Sequence, residues 1–300
     1  MSPIVARMEL RHLRYFLAVA DARHFGRAAR RLAVSQPTLS QQVKQLEDEL
    51  GTTLLERGRA GVRLTAAGEA FRGHASRALE DVAAGERAVG ALAGLTGGPL
   101  RVGYQPSMRG LVVPAIARVL RKYPGLVVTA YEGTSRRVEH RVADGALDVG
   151  VAYAPTRAPE VTGEPLHDSR LGVLVGPRHA LASQDKVTLS QLAAEPFALL
   201  SPGLRARATV DAFFASARFS PRVVLESNAV ATVLAMVRAG LAITVLPEPA
   251  FADAERLPVL QLSPAPRSQL TVLVWRTRAP RSAAAQAFAD ELHARVAASS

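Results

Sequence analysis

Between Phe25 and Gly68 the chain carries a run of signals that few folds can satisfy: FGRAARRLAVSQPTLSQQVKQLEDELGTTLLERGRAGVRLTAAG. Two helical stretches, residues 26–33 and 35–50, are separated by a tight turn. The second opens on Ser35, whose side chain can accept from the free N–H groups of a first helical turn. Pro37 falls inside that turn, where a missing N–H carries no penalty. Leu39, Val43 and Leu46 then share one helical face, while Gln36, Ser40, Gln41 and Lys44 share the other. Amides, a hydroxyl and a cation on an exposed face suit base edges and phosphates in a major groove. The basic stretch from Gly58 to Leu64 reads as a wing between two short strands. The segment therefore reads as a winged helix-turn-helix that binds DNA.

On these residues the chain resembles the LysR-type transcriptional regulators. The matching pieces are Leu13-Arg14-Tyr15-Phe16, Arg27-Ala28-Ala29-Arg30-Arg31-Leu32 and Val34-Ser35-Gln36-Pro37-Thr38-Leu39-Ser40. Leu46-Glu47-Asp48-Glu49-Leu50-Gly51 and Leu64-Thr65-Ala66-Ala67-Gly68 follow. The likeness runs from Met8 to Gly68 by motif and on to Pro247 by spacing; the seven residues before Met8 lie outside it. Leu55 stands where the family usually has Phe, and His24 and Gly26 replace its usual Ser and Thr, which alters packing and capping. The resemblance implies a regulator with a small-molecule effector, no cofactor, and self-association as a dimer with tetramers formed by pairing dimers. RNA polymerase is a further partner that it implies.

The net charge of +11 is unevenly spread. Residues 1–65 hold eleven cationic and six acidic side chains, residues 66–95 three and four, and residues 96–300 twenty-three and sixteen. Lysine occurs only at 44, 122 and 186, so arginine supplies nearly all of the basicity. The cluster Arg57, Arg59 and Arg63 therefore argues for DNA better than the total does. With no cysteine, disulfides, thiolate metal sites and cysteine nucleophiles are excluded. So, within the resembled family, is sensing of peroxide through a thiol. No apolar run suits a signal peptide or a membrane span, which places the protein in the cytoplasm.

Three segments follow from the pattern. Residues 1–65 form the winged helix-turn-helix, 66–96 a linker and dimerisation helix, and 97–300 an effector-binding domain. In the linker, Phe71, Ala75, Ala78, Val82, Gly85, Val89 and Leu92 step by fours and threes, a heptad seam suited to helix pairing. Thr96-Gly97-Gly98-Pro99 breaks this helix. Beyond it strands and helices alternate, which predicts parallel sheets with crossover helices. A late strand and helix return to the first lobe, giving lobe I at about 97–167 and 267–300 and lobe II at about 168–266. The chain crosses between lobes near Leu166–Ser169 and Ser263–Arg267. The whole is α/β, its effector domain resembling type 2 periplasmic binding proteins.

On the recognition helix the DNA-binding candidates are Gln36, Pro37, Thr38, Ser40, Gln41 and Lys44, with Pro37 offering apolar contact to a thymine methyl. Arg57, Arg59, Arg63 and Thr65 are assigned to phosphates, which give affinity without sequence choice. An effector in an open α/β lobe sits at the carboxyl ends of strands, near helix N-termini. That singles out Gln105, Ser107 and Arg109 after the first strand, Thr134 and Ser135 after the second, and Ser201 with Arg205 and Arg207. Asn228 can face the same cleft, although a hydroxyl or amide at such places also serves as a helix cap. The arginines suit an anion. Leu147–Pro155 and Val223–Leu234 also resemble the regulators of cyanate-utilisation operons, which points to a small anion or carboxylate.

Enzyme readings find little. The seven histidines show no metal-ligand spacing, no serine sits in a nucleophile elbow, and no glycine-rich phosphate loop follows a strand. Asp144 and Asp148 flank a helix-to-strand turn, and Asp148 is read as structural. A solute-binding protein using the same cleft is the competing class, disfavoured by the DNA motif. The reading is a regulator whose two-lobed sensor alters promoter binding and bending.

Overall fold

A computed structural model describes residues 8–58, 61–92 and 97–298 of the chain. They divide into two compact units, residues 1–89 and 90–300.

The first unit comprises α1 (Leu10–Ala22), α2 (Phe25–Arg31), α3 (Gln36–Leu50), β1 (Leu55–Gly58), β2 (Gly61–Leu64) and α4 (Ala66–Leu92). Its helices begin where polar side chains meet their first-turn N–H groups. His24 Nδ1 accepts from Gly26 N at 3.0 Å, opening α2, and Ser35 Oγ accepts from Thr38 N at 3.2 Å, opening α3. Gly51, at φ +65°, ends α3 in the left-handed conformation that favours glycine. Leu13, Phe16, Val19, Ala28, Leu39, Val43 and Leu46 form one buried cluster, so the apolar face of α3 lies inward and its polar face outward. β1 and β2 pair antiparallel, and Glu47 Oε1 fixes the approach to β1 by accepting from Leu54 N at 2.8 Å and Leu55 N at 3.0 Å. Gly68 has no substitute here, because a Cβ would run into the Leu54 carbonyl oxygen.

The heptad stripe of α4 divides. Ala75 is buried in the cluster of the winged domain, and Phe71 packs on Phe16 with ring centroids 5.5 Å apart. The first turns of the stripe therefore complete the domain's own core. Ala78, Val82 and Gly85, further along, are exposed. Thr96 and the side chains of Val89 and Leu92 lie outside the described residues.

The second unit runs β3 (Gly97–Tyr104), α5 (Arg109–Lys122), β4 (Gly125–Glu132), α6 (Ser135–Ala143), β5 (Val149–Tyr153) and β6 (Val161–Ser169). It continues with β7 (Leu171–Leu174), β8 (Lys186–Val187), β9 (Pro196–Leu200), α7 (Arg205–Ser216), β10 (Arg222–Ser227) and α8 (Val230–Arg238). β11 (Thr244–Pro247), β12 (Val259–Leu262), β13 (Gln269–Arg276) and α9 (Ala283–Ala297) complete it.

Lobe I is a five-stranded sheet in the order β4-β3-β5-β13-β6. β3 is parallel to β4 and β5, as the alternation predicts, but β13 runs antiparallel to both of its neighbours. The sheet is therefore mixed. The reason is topological: β6 leaves lobe I at the same edge where β13 returns, Ser169 facing Gln269, so the returning strand must run the other way. Lobe II holds a second sheet, β11-β7-β12-β8, and the parallel pair β9 and β10, joined by a bridge between Phe197 and Ile243.

The segment Leu166–Ser169, expected as a crossing, is instead the end of β6. This strand lies at the sheet edge and carries Pro165 and Gly163, which erase the apolar alternation and are tolerated at an edge. Actual passage between the lobes occurs at Arg170 and over residues 263–268, and the strands flanking it are tied by Ser169 Oγ and Thr271 Oγ1, 2.9 Å apart and buried.

Candidate functional site

On the DNA-facing candidates the helix geometry is open. Gln36, Pro37, Thr38, Gln41 and Lys44 are exposed and Ser40 is half-buried. The Thr38 hydroxyl lies 2.7 Å from Ser35 Oγ, so it also serves the cap. Space for Gln36 depends on Gly26, where a Cβ would fall 3.0 Å from Gln36 Oε1. Arg57, on β1, does not float in solvent: its guanidinium lies 4.3 Å from the centre of the Phe25 ring and donates to Ser40 Oγ at 2.5 Å. One arginine thus links the wing to both helices of the helix-turn-helix. Beside it a hollow of about 500 Å³ is lined by Ser40, Lys44, Thr52 and Arg57 among others. Arg63 is exposed on β2, and Arg59 lies outside the described residues. Thr65 departs from its expected place on phosphate. Its hydroxyl donates to Thr53 O at 2.7 Å and accepts from Gly68 N at 2.9 Å, so its only proton is committed to holding the start of α4.

In the second unit, parallel strands bring several candidates to one edge. β3 and β4 end side by side, with Gly133 N donating to Tyr104 O at 2.9 Å, so Gln105 and Ser107 neighbour Thr134 and Ser135. Ser107 is buried and its Oγ lies 3.3 Å from the hydroxyl of Tyr153, the last residue of β5. Burial raises the Tyr153 phenol far above its ordinary pKa, and the Ser107 bond offsets only part of that. Thr134 is the cap of α6, accepting from Arg137 N at 3.4 Å. Gln105 Nε2 and Ser135 Oγ are buried with no hydrogen-bond partner. Arg109 is turned aside: its Nε donates to Asp253 Oδ2 at 3.3 Å, on the segment after β11.

In lobe II, Leu200 and Ser227 face each other at the ends of β9 and β10, which sets Ser201 beside Asn228. Asn228 is exposed, and the hydrogen bond at the start of α8 comes from Ser227 Oγ, which accepts from Ala229 N at 3.1 Å. Arg207 is committed elsewhere, donating to Leu200 O at 2.6 Å, Glu226 at 2.7 Å and Asp211 at 2.7 Å. Although burial pulls its pKa down, these two carboxylates raise it overall. Arg205 makes no such ion pair among the described residues. Burial lowers its pKa, Arg157 adds to that, and Glu139 opposes it.

Sequence reasoning passed over Tyr153, Glu139 and Arg157. Tyr153 carried a signal, a phenol closing an otherwise apolar strand; Glu139, on a polar-looking helix, carried none. Asp148 is structural, as read: its carboxylate accepts from Arg101 N at 2.7 Å, Nε at 3.3 Å and Nη2 at 2.8 Å. Among the described residues no group of His, Asp or Glu is arranged to hold a metal, and no helix is long and apolar enough to cross a membrane.

Known proteins share this architecture. A profile described as the LysR substrate binding domain matches residues 93–297, and one for the bacterial regulatory helix-turn-helix protein, lysR family, matches residues 10–69. The HTH-type transcriptional regulator AlsR of Bacillus subtilis is 36% identical over 246 residues, 81% of this chain and 82% of that protein. A probable hydrogen peroxide-inducible genes activator of Mycobacterium avium is 34% identical over 280 residues, covering 90% and 88%. A full-length OxyR variant from Pseudomonas aeruginosa superposes with a TM-score of 0.74 at 31% identity, covering 95% of each chain. CbnR complexed with its target DNA gives 0.70 at 26% identity, covering 96% and 99%. These families and relatives are transcriptional regulators rather than enzymes. With both of its parts matched, the chain belongs to the LysR family: it is a LysR-type transcriptional regulator with an N-terminal helix-turn-helix and a two-lobed effector-binding domain.

Proposed function

We propose that α3 reads operator DNA through Gln36, Pro37, Thr38, Ser40, Gln41 and Lys44, with Arg57, Arg59 and Arg63 on phosphates. A glutamine bidentate to adenine is worth about 1–3 kcal/mol of base discrimination. Thr65 leaves this set because its donor is used within the fold. Dimers, joined in part through the exposed later turns of α4, present two recognition helices to a two-fold operator; pairs of dimers and contact with RNA polymerase belong to the same reading.

The effector is a small anion or carboxylate held between the lobes by Gln105, Ser107, Thr134, Ser135, Ser201 and Arg205. The observation that carries this is the polar edge shared by β3 and β4, where Gln105 Nε2 and Ser135 Oγ are buried without partners. The likeness of two segments to cyanate-operon regulators supports the same class. Arg109, Arg207 and Asn228 are left out of this set, the first two because they are bound to carboxylates and the third because it is exposed. Effector binding changes how subunits are placed and hence the bend of promoter DNA, which requires the ligand to favour one arrangement energetically.

Footprinting with the full-length protein at two salt concentrations, with and without small carboxylates, tests this. An interrupted palindrome whose protected length and bend change with a carboxylate supports the reading. Gln41→Ala with undiminished site preference refutes the recognition-helix assignment. Ser107→Ala and Ser201→Ala with unaltered carboxylate response refute the pocket.

A further inference from the structure

On α6, which begins beside the shared edge of β3 and β4, there is a buried carboxylate that a simple anion cannot use. Glu139 lies one turn after Ser135 on α6, so the two side chains share a helix face. They are only 1% and 5% exposed. Glu139 Oε2 accepts from Arg157 N at 2.8 Å and Ala158 N at 3.2 Å, which pins the group in place. Its Oε1 is buried with no hydrogen-bond partner, and so is Ser135 Oγ. A carboxylate oxygen can accept only, so this atom calls for a donor. Across from it, Leu204 and Ala206 of lobe II are buried in one apolar cluster with Leu100, Val102 and Val151 of lobe I. Arg205, between them, sits at this seam, and its charge is coupled to Glu139 and Arg157. Glu139 thus supplies a negative pole and Arg205, at the lobe seam, a positive one.

We propose that the effector is an aminocarboxylate: its amino group donates to Glu139 Oε1 and Ser135 Oγ, and its acid group turns to Ser107, Ser201 and Arg205. This rests on the reading of the cleft as the effector site. A bare carboxylate leaves Glu139 unmet, and a bare amine leaves Arg205 unmet.

Calorimetry on the full-length protein with matched pairs of probes tests the class: glycine and acetate, β-alanine and propionate, γ-aminobutyrate and butyrate. At least one amino acid is expected to bind at least about tenfold more tightly than its des-amino partner, as a hydrogen bond to a charged group requires. Glu139→Gln, whose amide oxygen still accepts from Arg157 and Ala158, is expected to erase that preference and leave the des-amino acid's affinity unchanged. Ser135→Ala removes a hydroxyl that bonds nothing in the fold and is expected to reduce the same preference several-fold; it decides the matter if Glu139→Gln misfolds. Ser107→Ala is expected to weaken both series alike. Equal binding within every pair, or a preference untouched by the α6 variants, overturns the aminocarboxylate and leaves the anion reading standing. Failure of both series to bind overturns both.

Discussion

Arg57 separates two ways in which a basic wing can serve DNA binding. If its charge alone matters, lysine replaces it. The geometry says otherwise: the guanidinium stacks on Phe25 at 4.3 Å while donating to Ser40 Oγ at 2.5 Å. A cation over an aromatic face at an exposed site contributes about 0.5–1 kcal/mol. The hydrogen bond adds a net of about 0.5–1.5 kcal/mol. Lysine, a point charge without the planar fork, keeps neither contact well. If DNA requires the wing held on the recognition helix, Arg57→Lys forfeits about 1–2.5 kcal/mol, or about 5- to 70-fold in affinity. Because the charge is retained, the dependence of affinity on salt should not change. Arg57→Ala should lose more than that and also flatten the slope of log K against log salt by about 0.9, one phosphate fewer. Fluorescence anisotropy with an operator duplex over a salt series reads both quantities. An Arg57→Lys protein binding within twofold of wild type would refute the positioning role and reduce Arg57 to a solvated charge.

Three further outcomes follow from the packing. Asp148→Ala strips the partners from Arg101 at a site where the carboxylate is 6% exposed and the guanidinium 22%. Breaking such a pair should cost about 3–5 kcal/mol, lowering the melting temperature of the effector unit by about 6–20 °C in calorimetry; a shift under about 2 °C would contradict the structural role. Gly68→Ala drives a Cβ into the Leu54 carbonyl and should destabilise the winged unit by about 1–3 kcal/mol or more, leaving effector-unit melting unchanged. Glu164 has its carboxyl pushed up by burial, but bonds from His293 and Arg281 outweigh this and hold it below its ordinary value of 4.5. With its folded pKa depressed, its contribution is present above the unfolded value and fades as pH falls through the folded one. Urea midpoints of wild type and Glu164→Gln should therefore differ at about pH 6 and converge toward about pH 3; a gap that widens in acid would reverse the argument.

The readable parts of the chain were those where one local rule decides. Ser35, Pro37 and Gly51 bound α3 by capping chemistry that depends on neighbours only, so its limits and its inward face were visible in sequence. β6 was not visible, since Pro165 and Gly163 obscure a strand whose existence depends on pairing with β13, a segment about a hundred residues later. The reversed direction of β13 belongs to the path between the lobes, which no window of sequence contains. Within the cleft, Gln105 and Ser107 could be found from their place after a strand. Arg207 and Arg205 could not be told apart, being two residues apart on one helix; only the fold gives Arg207 its carboxylates and leaves Arg205 at the seam. Glu139 escaped for the same reason, because its burial is created by backbone N–H groups of a distant loop.

The energetics of the cleft bear on what kind of motion an effector can cause. A wide parting of the lobes would expose the apolar cluster that they share, at about 1.5–3 kcal/mol for each leucine uncovered. A buried polar atom left unmet costs about 1–3 kcal/mol, so a ligand meeting Gln105 Nε2, Ser135 Oγ and Glu139 Oε1 can supply about 3–9 kcal/mol. That matches the exposure of only about two or three leucines, far short of parting the whole shared core. It is enough to redistribute closely related arrangements, since moving a population from 1:99 to 99:1 needs about 5.5 kcal/mol of differential binding. The half-buried bridge from Arg109 to Asp253, a single 3.3 Å contact, adds little resistance. The fold therefore favours a small slide of one lobe on the other over hinge opening. By the same figures each further buried polar atom that is met adds about 1–3 kcal/mol, so a ligand that meets both poles comes closer to the required difference than one that meets a single pole.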